Sequence, residues 1–290
     1  MTRFDFKAIG TSWRIDISQD IPIPEQSALL GRVMRRIDVF DKDYSRFRAD
    51  SLVTKISQEA GTYRLPDDAK PMMDIYRDLY LRTGGLVTPL IGNLISDAGY
   101  DAEYSLVQKK TLEAPPRWDE AIWYSAPDLE VKKPVMLDFG AAGKGYLIDI
   151  VGGVLEKSGI AEYCIDAGGD ILRRGGGEIR IGLENPEDTS QAIGVCLLGS
   201  GSICGSAGTR RKWADFTHII NPKTLQSPKE ILAVWTNAES ALVADALATC
   251  LFFVSPRRIL DGYDFEYAIL RSDMSLERSA GFPGEFFIKP

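Results

Sequence analysis

The chain has 290 residues, 44% of them hydrophobic and 26% charged, with a mean hydropathy of −0.11. That is the composition of a folded globular chain rather than a disordered one, and the length suffices for a large core. Lys and Arg total 34 against 41 Asp and Glu, so the net charge is −7 and the pI about 5.0. This acidic balance lacks the basic footprint of a dedicated nucleic-acid binder, and no nucleic-acid partner is expected. An anionic small ligand stays open, held by local cations and backbone N–H groups. The first ten residues carry Arg3, Asp5 and Lys7 and no signal-like apolar core. No uncharged apolar run reaches the roughly 20 residues of a membrane span, so none is expected. Cys164, Cys196, Cys204 and Cys250 form no CxxC pair and read as reduced, mostly buried thiols. A cytoplasmic location is expected. The single histidine, His218, excludes zinc chemistry built on several His ligands.

Along the chain, the alternation that ends the stretch Ile9–Ile17 predicts an early strand. Leu29, Leu30, Val33, Met34, Ile37 and Phe40 recur at helical spacing and predict an amphipathic helix over 25–41. Residues Tyr44 to Ser51 read as a polar loop. A second helix is predicted over about 68–83, with Met72, Ile75, Tyr76, Leu79 and Tyr80 on one face and Gly84-Gly85 as its stop. The segment 99–130 shows no clear period. Val135–Phe139 is predicted as a short strand, followed through Gly140–Gly145 by a helix over about 145–157. Ile160–Asp166 reads as a strand, Ala167–Asp170 as a tight turn, and further strands fall near 179–183, 192–198 and 231–235. Thr236–Val254 predicts a helix begun by a Thr236/Glu239 capping box, and 264–288 a terminal hairpin. Strands and helices mix without a βαβ period. The fold class is therefore α+β, and residues 1–290 read as one compact unit.

Three features could carry chemistry. The first is Leu137-Asp138-Phe139-Gly140-Ala141-Ala142-Gly143-Lys144-Gly145-Tyr146. Small residues before a helix N-terminus, with a lysine, suit a phosphate group. A P-loop would need Ser or Thr where Gly145 stands; the alternative is a tight connection with a solvated Lys144. The second is Asp245 with Thr249, at i and i+4 on an otherwise apolar helix. A carboxylate there either faces solvent or meets a hard cation such as Mg2+, which accepts carboxylate and hydroxyl oxygen. The third is His218, either a structural histidine or a proton-transfer group, preceded by the basic run Arg210-Arg211-Lys212, which also reads as a solvated turn.

Taken together and in order, these stretches resemble the FAD:protein FMN transferases, the ApbE proteins, over Ile9 to about Val254. The resemblance rests on Gly10-Thr11-Ser12-Trp13, on Tyr44-Ser45-Arg46-Phe47-Arg48 with Asp50-Ser51, and on Leu137–Gly140 through Lys144-Gly145-Tyr146 with Asp149. It rests equally on Ala167-Gly168-Gly169-Asp170, His218-Ile219-Ile220-Asn221-Pro222 and Ala244-Asp245 to Thr249. It implies an α+β fold of the family's own type and a Mg2+-dependent cleavage of FAD. FMN would be attached by a phosphoester to a Thr or Ser of a target protein, with release of AMP. FAD hydrolysis to FMN and AMP, or FAD binding without catalysis, are the alternatives. The resemblance further implies that Ile9, Phe47, Asp138, Lys144 and Ile219 meet FAD. It makes Ala141 (through its carbonyl), Asp245 and Thr249 the metal ligands, and His218 the catalytic histidine. Three departures stand out. Cys204-Gly205-Ser206-Ala207 replaces the family's Ala-Thr-Ser-Gly, Asn221 replaces an Asp with Leu225 replacing a Gly, and Gly85-Leu86 replaces Phe-Asp before Val87-Thr88.

Overall fold

Period-two burial sets the central sheet: in Thr11–Ile17, Trp13, Ile15 and Ile17 are buried and the residues between them are not. A computed structural model describes residues 1–209 and 211–287 and places eight strands in that sheet. Their order is Thr2–Ala8, Thr11–Ile17, Tyr163–Ala167, Ile171–Arg174, Gly201–Ala207, Ile231–Ala238, Glu266–Arg271, Leu276–Arg278. Every neighbouring pair is antiparallel. One face is covered by the helices Ile23–Tyr44, Gly143–Glu156 and Ala241–Cys250, whose apolar stripes meet the sheet in the main core. On the other face, a three-stranded sheet of Ile179–Glu184, Ala192–Leu198 and Gly284–Phe286 closes a second core around Leu183, Cys196, Ile203, Trp235 and Leu270. A third small sheet joins Gly61–Arg64, Asp128–Val131 and Ile122–Ser125. Among the described residues, no helix is long and apolar enough to cross a membrane.

Helical periodicity located the long helices: Ile23–Tyr44 runs further than the spacing indicated, Lys70–Thr83 and Gly143–Glu156 lie within two residues of it, and Ala241–Cys250 is shorter. In Ile23–Tyr44, Leu29, Val33, Ile37, Phe40 and Tyr44 are buried, whereas Met34, placed on the same face by spacing, is exposed. Lys70–Thr83 ends where expected: Gly84 takes a left-handed φ of 63°, and the Gly85 N–H returns to the Tyr80 carbonyl at 2.7 Å. Three expectations need correction. Val135–Phe139 is extended but forms no strand; its contacts go to the 89–92 turn, with the Asp138 N–H on the Pro89 carbonyl at 2.7 Å. Thr236 does not cap a helix. It lies buried in the strand Ile231–Ala238, its hydroxyl on the Ala244 carbonyl at 2.5 Å, and the helix begins only at Ala241. Ser240 caps it by accepting from the Val243 N–H, while both oxygens of Asp149 accept from the Ala241 and Leu242 N–H groups at 2.9 and 2.8 Å. Finally, the terminal hairpin is Glu266–Arg271 with Leu276–Arg278, and Gly284–Phe286 crosses to the smaller sheet; residue 288 lies outside the described residues. Cys196, Cys204 and Cys250 are buried free thiols, and Cys164 is half-buried.

Candidate functional site

The helices Gly143–Glu156 and Ala241–Cys250 come into close contact at one glycine. A Cβ at Gly145 would run into the Ala241 carbonyl and the Asp245 side chain, so the serine or threonine of a P-loop has no room here. Instead the Gly145 N–H donates to Asp245 Oδ2 at 2.8 Å, which ties the phosphate-type loop to the acid of the second helix. Asp245 is buried, at 5% exposure, which disposes of the solvent-facing alternative. Burial pushes its carboxyl up to about 8; Asp170 adds to the rise, and Lys144 and the Gly145 N–H oppose it.

Lys144 is half-buried and not a solvated surface lysine. Its Nζ lies 2.6 Å from Oδ2 of Asp170, whose side chain is only 2% exposed. Burial pulls the ammonium down, but Asp170 and Asp245 more than offset it and hold it above its usual value. Asp138 is equally engaged: Arg46 Nε reaches its Oδ2 at 2.5 Å, and the Gly140 N–H donates to Oδ1 at 2.7 Å. Arg46 is itself buried and lies over Phe47, with its guanidinium carbon 4.2 Å from the ring centroid.

Arg46, Asp138, Lys144 and Asp245 line a cleft of about 550 Å³, together with Ile9, Phe47, His218 and Thr249. A smaller apolar recess of about 110 Å³ adjoins it, lined by Ala141, Ile219, Tyr76 and Tyr100 among others and sharing Phe47, Asp138, His218 and Thr249. Every residue that the resemblance singled out thus lies on one continuous hollow. Phe47 stacks on Tyr104 at 5.2 Å and 9°, forming an aromatic wall that continues through Tyr100 to Trp213. Ile9 sits at the tip of the Thr2–Ile17 hairpin with φ 42°, beside Gly10 at 75°. Both central residues of the turn are left-handed, as a type I′ turn requires, and a β-branched side chain there is strained. Among the described residues, Nδ1 of His218 is buried without a hydrogen-bond partner. Burial pulls the ring down to about 4, with Arg211 and Lys144 adding to the fall and Asp138 opposing it. Arg211 also lines the cleft, with its guanidinium carbon 5.8 Å from the Tyr100 ring centroid; Arg210 lies outside the described residues. Arg46 and Arg211 are two cations of this hollow that sequence reasoning did not assign to it, and Asp170 is the carboxylate partner of its Lys144.

The profile of the ApbE family matches residues 9–267. The chain belongs to the ApbE family. A curated relative from Klebsiella pneumoniae (strain 342), named FAD:protein FMN transferase, is 24% identical over 89% of this chain and 79% of its own. A relative of the same name from Escherichia coli (strain K12) is 22% identical over 89% and 80%. Among solved structures, the ApbE protein of Thermotoga maritima superposes with a TM-score of 0.80 at 22% identity, covering 96% of this chain and 97% of that one. The flavin transferase ApbE of Vibrio cholerae gives 0.79 at 18% identity, covering 97% of each. The α+β fold is thus that of the ApbE structures.

Against the family pattern, two of the departures have a local explanation. Asn221 accepts from the Lys223 and Thr224 N–H groups at 2.9 and 3.2 Å through its side-chain oxygen, a role in which amide and carboxylate are equivalent. Leu225, where the family has Gly, keeps a left-handed φ of 60° and packs beside Trp213, Phe216 and Ile220. The backbone conformation survives the substitution at some cost in strain.

Proposed function

We propose that this chain is a Mg2+-dependent FAD:protein FMN transferase, built as one domain over 1–290, that esterifies a Thr or Ser hydroxyl of a target protein. It is a transferase, as its curated relatives are named. The observation that carries the reading is the convergence of Asp245, Lys144 and His218 on one cleft against an aromatic wall. The donors suit a magnesium ion: the Asp245 carboxylate, the Thr249 hydroxyl one turn further on and the Ala141 carbonyl are all hard oxygens. A buried acid whose proton is held this firmly by burial is also one that a divalent cation would keep ionised. When bound, the ion supplies Lewis-acid charge at the pyrophosphate.

The chain's own residues do the rest. Phe47 and Ile9 offer the apolar surfaces for a flavin ring, and Lys144 with the N-terminus of Gly143–Glu156 orients the phosphates. The acceptor hydroxyl oxygen attacks the FMN-side phosphorus and forms the new P–O bond. The bond from that phosphorus to the bridging oxygen breaks, and AMP leaves with the electron pair. The hydroxyl proton passes to His218, which burial keeps neutral near pH 7 and whose affinity for a proton the phosphate charge of bound FAD raises.

Incubation with FAD, Mg2+ and a lysate of the host should give a flavin-fluorescent protein band on a denaturing gel. FMN plus AMP without a band would mean hydrolysis instead, and unchanged FAD would mean binding alone. Two substitutions test the binding surfaces. Lys144→Met should weaken FAD more than riboflavin, which has no phosphates; it should also lower stability, because Asp170 is left buried without its cation. Equal losses for both ligands in fluorescence titrations would remove Lys144 from phosphate binding. Ile9→Asn creates an Asn-Gly turn suited to two left-handed residues and should raise stability by about 1 kcal/mol. Flavin affinity should fall in the same variant as apolar cleft surface is lost, and a denaturant midpoint with a titration reads both.

A further inference from the structure

The strand Gly201–Ala207 is fully paired along one edge and half-paired along the other. Ile231–Ala238 covers it from Ser202 to Ala207, but Ile171–Arg174 covers the opposite edge only from Gly201 to Ile203. Alternate residues of a strand direct their backbone polar groups to the same edge. Gly205 and Ala207 therefore face the side where Ile171–Arg174 has ended. The Gly205 N–H is taken by Asp170 Oδ1 at 3.0 Å. Beyond it, among the described residues, the Gly205 carbonyl and the Ala207 N–H and carbonyl have no backbone partner. Gly205, Ser206 and Ala207 are half-exposed, so this is an open strand edge inside the molecule's own cleft.

Two hollows meet along it. The cleft already described reaches Gly205, Ser206 and Ala207. A separate groove of about 450 Å³ shares the same three residues and runs on across the outer face of the sheet. Its floor is apolar, formed by Trp235, Ile203, Ile181 and Leu183 of the second core, and Arg180 stands on its wall. A Cβ at Gly205 would come within 3.2 Å of the Trp235 ring, so glycine lets Trp235 pack close beneath the strand at this point. The path from edge to phosphate loop is short. Asp170 holds the Gly205 N–H with one oxygen and lies 2.6 Å from Lys144 Nζ with the other.

We propose that this edge is the docking site of the acceptor protein. An extended acceptor segment adds to Gly205–Ala207 by β-strand pairing, seats an apolar side chain over Trp235, and delivers its hydroxyl to the cleft beside Lys144. The proposal rests on the transferase reading above and names how its second substrate is recognised. The main chain supplies the affinity and the groove the selectivity, so the acceptor must be locally extended where it is modified.

The probe is a synthetic peptide spanning the hydroxyl that takes up flavin in the labelled band. N-methylation of its backbone amides, one at a time, should raise KM about tenfold at positions facing Ala207 and leave the alternate positions unchanged. Ala207→Pro, which deletes the N–H of the open edge, should raise the acceptor KM to a similar extent and by a larger factor than it raises the FAD Kd, since Ala207 also borders the cleft. Should that variant fold poorly, the methylation scan on the native protein still decides. A flat scan, an unchanged acceptor KM in a folded Ala207→Pro, or a peptide left unlabelled while the whole acceptor is labelled would each overturn strand addition. A native protein that labels no protein at all would instead overturn the transferase reading itself.

Discussion

Asp245→Ala is expected to reduce Mg2+-dependent turnover on the order of 10³-fold or more, because it removes the one charged donor of the proposed metal site. The fold should survive. Asp245 is costly where it stands, buried and close enough to Asp170 for the two to repel, and its loss relieves that repulsion. The price is the Gly145 N–H, which loses its acceptor at 2.8 Å. Asp245→Asn separates the two effects: its amide oxygen can still accept from Gly145, but the charge is gone, so turnover should fall as far with less change in stability. Thr249→Val removes a neutral oxygen that water can replace and should be milder. The readout independent of activity is thermal. Mg2+ should raise the melting temperature of the native protein and leave both Asp245 variants unmoved, since only a species that binds the folded state stabilises it. Full turnover in Asp245→Ala, or an equal Mg2+ effect on its melting temperature, would remove Asp245 from metal binding.

Much of this site could be read along the chain because its parts are local patterns. Asp245 and Thr249 share a helical face by spacing alone, and the Gly140–Gly145 run announces a close approach of backbone to something. The pairings could not be read. Arg46 lies 92 positions from Asp138, and nothing about an arginine in a polar loop indicates that it will be buried over the adjacent Phe47. Asp170 looked like part of a tight turn, yet it is the buried partner of Lys144 and the anchor of Gly205. The misplaced helix start has a related cause. The strand Ile231–Ala238 continues through the polar pair Thr236-Asn237, so Thr236 and Glu239 only mimic a capping box. The boundary is set instead by Asp149, from another helix, which satisfies the Ala241 and Leu242 N–H groups. The strand Gly201–Ala207 escaped notice because Gly201, Ser202, Gly205 and Ser206 have low strand propensity; pairing on both sides near its start overrides that.

His218→Asn should lose about 10² to 10⁴-fold in turnover while binding FAD nearly as well as the native protein, because asparagine keeps polarity and approximate bulk but cannot accept a proton near neutral pH. The buried Nδ1 has no partner among the described residues, so little hydrogen bonding is forfeited in the exchange. Stability should respond to pH in a way that depends on this ring. Its folded-state pKa of about 4 lies below the unfolded value of 6.5, so between those limits the unfolded chain binds the additional proton. The neutral ring's contribution is therefore complete above 6.5 and is lost as pH falls through the folded pKa; His218→Asn should flatten that part of the pH–stability curve. Because His218 is the only histidine, its ring resonances report the titration directly, with a midpoint near 4 in the free protein. Bound FAD brings phosphate charge into the same cleft and should move that midpoint upward. The acid limb of kcat/KM, which reports the free enzyme, should accordingly fall well below 6.5. Near-normal turnover in His218→Asn, together with a ring whose titration ignores FAD, would leave His218 a structural residue and require another base for the acceptor hydroxyl.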